Sequence, residues 1–187
     1  MARAVTLVRH GQTERSMTGT YSGRLDVPLT DTGREQARDT AEQLLDAGID
    51  AVVTSPLVRA RDTAQTIADA AGVPLTVDER LTEVDYGPFE GLDRDGAQAR
   101  FGDAFERWRA EPWRSPVPGM EPLPQALERA RAAMADALSA HEHPVIVGHQ
   151  GILRVVLVAL GEIEPDDYFS TRLQEGRPVV VERPAVR

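Results

Sequence analysis

Short runs of β-branched and apolar residues alternate along this chain with longer stretches of helical apolar periodicity, and no other feature restricts its fold as much. A run of four to six apolar residues suits a strand buried on both faces. An intervening amphipathic helix supplies the crossover that parallel strands need. The pattern predicts an α/β domain: a three-layer α/β/α arrangement around a mostly parallel central sheet. Ala4 to Val8 reads as the first strand. Thr30 caps a helix that runs to about Ala47, with Ala37, Ala41, Leu44 and Leu45 on one face and Gly48 as its stop. Ala51 to Thr54 is the next strand, Leu57 to Ala71 a helix closed by Gly72, and Leu75 to Val77 a short strand. Leu123 to Ala140 and Gly151 to Leu160 read as helices, with Val145 to Val147 as the buried strand between them. Pro178 to Val181 is expected to be a last strand near an edge.

Between Pro88 and Pro124 the pattern loosens. This segment is rich in Pro, Gly, Arg and aromatics, and it holds Phe89, Phe101, Phe105, Trp108 and Trp113. It reads as a small, partly helical cap inserted at about 88–124. No internal repeat or linker marks a boundary, so the 187 residues are expected to form one domain carrying that insertion.

Composition removes several chemistries. There is no cysteine, which excludes disulfides, thiolate zinc sites and a cysteine nucleophile. All 21 basic residues are arginine, so neither a Schiff-base lysine nor a P-loop lysine is available. A net charge of −9 argues against nucleic acid or an anionic membrane as partner. With no signal-like start and no apolar stretch approaching ~20 residues, the chain is expected in the cytoplasm. Its oligomeric state is not legible.

In an open parallel sheet, ligands bind beyond the carboxyl ends of the strands. Two of the four histidines fall there, His10 followed by Gly11 and His149 preceded by Gly148, and glycine permits the close backbone approach such a site requires. The other two, in His141-Glu142-His143, read as a solvated loop rather than a metal site.

The triplet Arg9-His10-Gly11 after a buried strand resembles the signature of the histidine phosphatase superfamily, which also contains the cofactor-dependent phosphoglycerate mutases. Further blocks follow in that family's order. They are Tyr21-Ser22-Gly23 with Asp26 to Thr30, then Ser55-Pro56-Leu57-Val58-Arg59-Ala60-Arg61. Next come Leu81 to Gly87 with Glu90-Gly91-Leu92, and finally Val147-Gly148-His149-Gln150-Gly151. The resemblance runs from Val8 to about Leu157.

The resemblance implies a metal-independent phosphatase with no cofactor, acting on a small phosphorylated metabolite through a phosphohistidine. His10 is the implied nucleophile and Glu83 the general acid. Arg9, Arg59, His149 and Ser16 are implied phosphate ligands, and Ser22, Gly23, Tyr86, Arg94 and Gln150 substrate contacts. The chemistry asks for such groups. A transferring phosphoryl spreads negative charge over its equatorial oxygens, and guanidinium groups meet it with paired donors. The attacking ring must be neutral, and a flanking arginine disfavours imidazolium; His149 is left free to carry charge.

Three departures from the family pattern stand out. Ser16 occupies a position where Asn is usual, Gln150 one that is often Gly or Ala, and Pro122 follows Glu121 where Ser often stands. The Gln12-Thr13-Glu14 segment with Ser16 and Tyr21-Ser22-Gly23 also resembles the branch containing sugar bisphosphatases of the sedoheptulose 1,7-bisphosphate type. Two alternatives remain open: phosphoryl transfer of the phosphoglycerate mutase type, and a non-catalytic phospholigand-binding module.

Overall fold

The computed structural model describes residues 2–182 and 184–186. In chain order the elements are β1 (Ala4–Arg9), α1 (Glu14–Met17), α2 (Asp31–Leu44), β2 (Ala51–Thr54), α3 (Val58–Ala71) and β3 (Leu75–Val77). They continue with α4 (Arg94–Phe101), α5 (Asp103–Ala110), α6 (Leu123–Ala140), β4 (Pro144–Gly148), α7 (Gln150–Leu160) and β5 (Pro178–Glu182). The strands form one sheet in the order β3-β2-β4-β1-β5. β1, β2, β3 and β4 pair in parallel, and β5 runs antiparallel along β1, with Leu7 opposite Val179.

Strand alternation builds the three layers. Val5 and Leu7 of β1, Val53 of β2 and Ile146 of β4 face one core with α6 and α7. Val8, Val52, Val145 and Val147 face the other, where Ala41 and Leu44 of α2 meet Ala60, Ala64 and Ile67 of α3. Both faces of the central strands are thus covered, which is why these runs carry apolar residues at nearly every position.

Local signals fix the helix ends. The Thr30 hydroxyl accepts the Gly33 amide at the start of α2, and Gly72 ends α3 in the left-handed region at φ 66°. α2 stops at Leu44 rather than Ala47. The Ala47 amide bonds back to Leu44 in a tighter turn, and Leu45 points to solvent. The His141–His143 loop differs from its expected solvated state. His143 Nε2 pairs with the Thr6 hydroxyl and Nδ1 with the Ala47 carbonyl, tying β1 to the end of α2.

The 88–124 segment carries α4 and α5, joined at Gly102. Phe89, Phe105 and Trp108 are buried, with ring centroids 5.2 to 5.8 Å apart, and they merge with the α6–α7 core. The segment is therefore held by aromatic packing on the domain beneath it.

Candidate active site

The strand ends converge on one cavity of about 150 Å³. Arg9 is the last residue of β1 and His10 the next. His149 follows β4 and precedes α7, and Arg59 lies in the first turn of α3, just beyond β2. The His10 amide bonds to Gly148 O across the β1–β4 boundary, and the two imidazole centroids stand 5.1 Å apart. Gly11 is required sterically: a Cβ there would sit 2.3 Å from the Gly33 carbonyl oxygen at the start of α2.

His10 Nδ1 lies 2.7 Å from the Gly11 carbonyl oxygen. A carbonyl only accepts, so Nδ1 carries the proton and Nε2 keeps its lone pair. Burial, then Arg59 and Arg9, hold the ring well below the usual histidine pKa. The ring is neutral at pH 7, as an attacking nitrogen must be.

Arg59 is almost wholly buried. Its Nη1 donates to Leu25 O at 2.7 Å, Nη2 to Gly23 O at 2.8 Å, and Nε to His149 Nδ1 at 3.1 Å. Since Nδ1 of His149 accepts, its Nε2 carries the hydrogen, which it donates to the Ser55 hydroxyl at 2.7 Å. The charge that the sequence left open to His149 is therefore not carried. Burial first, then Arg59, His10 and Arg9, keep it neutral. It stands behind Arg59 rather than among the residues lining the cavity, so contact with a phosphate requires one ring nitrogen to exchange partner.

Glu83 faces the cavity from the segment after the Glu79–Leu81 turn. Its Oε1 accepts the amides of Val84 and Ile152, both at 2.8 Å, and Oε2 accepts that of Gly151 at 3.0 Å. Gly151 and Ile152 are in the first turn of α7, whose amides lack intrahelical partners, so Glu83 caps that helix from a distance. Oε2 has a single donor and retains capacity for a proton. The segment is bracketed by Arg129 of α6, which donates to the carbonyls of Arg80 and Thr82 and forks onto Glu121 at 2.7 and 2.9 Å. Burial raises the Glu121 pKa, but the Arg129 fork outweighs it and holds the carboxyl below its usual range. The Glu121 loop is thus tied to the Glu83 segment through Arg129 and through the Asp85 amide, which donates to Glu121 Oε2.

The remaining expected residues divide. Arg9, Ser16, Ser22, Gly23, Tyr86 and Gln150 line the cavity. The Ser16 hydroxyl donates to Thr13 O and accepts the Thr13 amide, both at 2.9 Å, in the capping box of α1. Its donor is thus spent on the backbone. Arg94 is exposed at the start of α4 and is not in the lining. Two other guanidiniums are: Arg109 of α5, 3.8 Å above the Phe169 ring, and Arg154 of α7, 5.9 Å from the same ring. Neither forms an ion pair among the described residues. Arg109 was visible in sequence only as one of several cap arginines, and Arg154 and Phe169 carried no local signal. No grouping of three or more His, Asp or Glu suited to a metal ion occurs among the described residues, nor any helix long and apolar enough to cross a membrane.

Residues 5–184 match the sequence profile of the histidine phosphatase superfamily (branch 1). The chain is 37% identical over 168 residues to "Putative phosphoserine phosphatase 2" of Hydrogenobacter thermophilus, spanning 89% of this chain and 83% of the relative. It is 32% identical over 190 residues to a 2,3-bisphosphoglycerate-dependent phosphoglycerate mutase of Brucella ovis, spanning 96% and 92%. Among solved structures, a mycobacterial glucosyl-3-phosphoglycerate phosphatase in complex with VO3 superposes with a TM-score of 0.86 at 27% identity, over 96% of this chain and 90% of that one.

Proposed function

The chain belongs to the histidine phosphatase superfamily, and on that premise we propose that it is a cytoplasmic phosphoric monoester hydrolase acting on a small metabolite through a phosphohistidine. The observation that carries this reading is the His10 ring, neutral and tautomer-locked by Gly11 O, sharing a cavity with the Arg9 and Arg59 guanidiniums and the Glu83 carboxyl. The substrate phosphate is held by Arg9 and Arg59. His10 Nε2 attacks phosphorus, the bond to the leaving oxygen breaks, and Glu83 gives that oxygen its proton. Glu83, now a carboxylate, takes a proton from water, the water oxygen attacks the phosphohistidine, and the P–N bond breaks to free phosphate and His10. No metal is needed to offset charge in this scheme, because the arginines do so.

Arg109 and Arg154, lacking carboxylate partners beside the cavity, suit a substrate with a second anionic group beyond its phosphate. This pair also favours the second reading, phosphoryl transfer between positions of a phosphoglycerate, to which the Brucella relative's name corresponds. Phosphate release from an aryl phosphate, phosphoserine, phosphoglycerates, sugar mono- and bisphosphates and nucleotides, with chelator present, separates the readings when run beside isomerisation of 3-phosphoglycerate. Release that resists chelator and vanishes in His10→Ala is expected. Isomerisation without release establishes the mutase, and silence in both assays points to a phospholigand-binding module.

A further inference from the structure

Arg9 is held differently from Arg59. Its Nη1 donates to Leu173 O and to Gln150 Oε1, both at 3.3 Å, and its Nη2 to Glu175 Oε1 at 3.2 Å. Nε is buried and has no partner among the described residues. Of the five guanidinium hydrogens, three are therefore engaged. The two that remain are one on Nη2 and the one on Nε, which is closed off from the cavity.

The carboxylate that pairs with Nη2 is itself fixed by the fold. Glu175 forms a parallel backbone bridge with Arg9, and the next amide, Gly176, donates to Arg9 O at 2.9 Å. Gly176 sits at φ 64° with so little room that a Cβ would lie 2.9 Å from Gln36 Cβ on α2. Three residues after Glu175, β5 begins and pairs along β1. Both ends of the ion pair are thus anchored at the end of β1, Arg9 as its last residue and Glu175 by an isolated bridge to it, and both side chains are more than four-fifths buried.

We infer that Glu175 is a positioning residue that orients the Arg9 guanidinium for phosphate, acting through Arg9 and not on substrate. This rests on the reading of Arg9 as a phosphate ligand. An acidic side chain beside an anion site would otherwise oppose binding; here its carboxylate faces Nη2 and holds the fork in place. An unrestrained arginine has many rotamers, and misplacement by ~1 Å costs up to ~10²-fold in rate.

The test is a double-mutant cycle read by kcat, KM and the inhibition constant of orthovanadate on an aryl phosphate. Glu175→Ala is expected to raise the orthovanadate constant and KM about tenfold. Glu175→Gln, which keeps the acceptor oxygen, should stay within about threefold of the native enzyme. In an Arg9→Ala background, Glu175→Ala should raise neither value, because its target is gone and the carboxylate it removes is left opposing the anion. A native-like Glu175→Ala, or the same tenfold cost with Arg9 absent, overturns the positioning role while leaving Arg9 a phosphate ligand. If Arg9→Ala itself leaves orthovanadate inhibition unchanged, the phosphate role of Arg9 has failed and the inference falls with it.

Discussion

Gly151→Ala tests the Glu83 geometry without removing any group that touches substrate. A Cβ at Gly151 would lie 2.7 Å from Glu83 Oε1 and 2.4 Å from Tyr86 Oη, where ordinary contact begins near 3.4 Å. The carboxylate must retreat by about 0.7 Å and the phenol by about 1 Å. Glu83 cannot yield freely, because the amides of Val84, Gly151 and Ile152 hold it at 2.8 to 3.0 Å. Alanine gains up to ~1 kcal/mol in helix propensity, and leaving one or two buried amides under-satisfied costs ~1–3 kcal/mol each. Net destabilisation of ~1–4 kcal/mol lowers Tm by several degrees in a chain of this size. The larger effect is expected on chemistry, where a displacement approaching ~1 Å is worth up to ~10²-fold. It should be read as kcat/KM, which reports transfer to His10, on an alkyl phosphate and an aryl phosphate. The alkyl leaving group needs the proton and should lose ~10–100-fold, while the aryl group departs without full protonation and should lose much less. Equal losses on both substrates, or none, would refute placing the acid at Glu83.

Four further outcomes follow from the same geometry. Glu83→Gln should lower kcat/KM on alkyl phosphates by ~10²–10⁴ while orthovanadate inhibition stays nearly constant; unchanged turnover would move the acid elsewhere. Arg59→Ala should lose turnover and also stability, measured by denaturant titration, since it strands Gly23 O, Leu25 O and His149 Nδ1 at ~1–3 kcal/mol for each group left unpaired. Arg109→Ala should raise KM for phosphoserine or 3-phosphoglycerate by ~10-fold and leave the aryl phosphate unaffected, so equal changes would remove it from the distal end of the substrate. Both buried histidines have folded pKa values below their unfolded ones, so stability is complete above about pH 6.5 and declines as pH falls through and below that value; a denaturation midpoint that stays flat from pH 6.5 to 5.5, above the main carboxylate range, would contradict their being neutral.

The charge distribution explains how an acidic protein can receive an anion. The chain carries nine more acidic than basic residues, yet Arg9, Arg59, Arg109 and Arg154 line one cavity in which Glu83 is the only acidic lining residue among the described residues. Glu175 and Glu121 act at one remove, the first on Arg9 and the second on Arg129 behind the Glu83 segment. The cavity's attraction for phosphate is therefore local, and long-range steering by net charge opposes it. Salt should accordingly weaken the opposing far field more than the short contacts within the cavity.

What the sequence made legible follows the range of the interactions concerned. β1, β2 and β4 were readable because both their faces are buried, and His10 and His149 because each immediately follows such a strand. α1 was not, since its four residues bury no side chain and carry no periodicity. Family resemblance located Ser16 but not its hydroxyl, which a capping box three residues away had already claimed. It located His149 as well, yet its charge depends on burial and on Arg59, which come from tertiary packing. Arg94 fails as a cavity residue because Asp93 caps α4 and leaves its first turn exposed, whereas Arg109 on the next helix is laid over Phe169, sixty positions later in the chain. His10 and His149 thus sit at strand ends where local pattern betrays them. The contacts behind them, Arg129 on the Thr82 carbonyl and Glu175 on Arg9, act across separations that no window along the sequence spans.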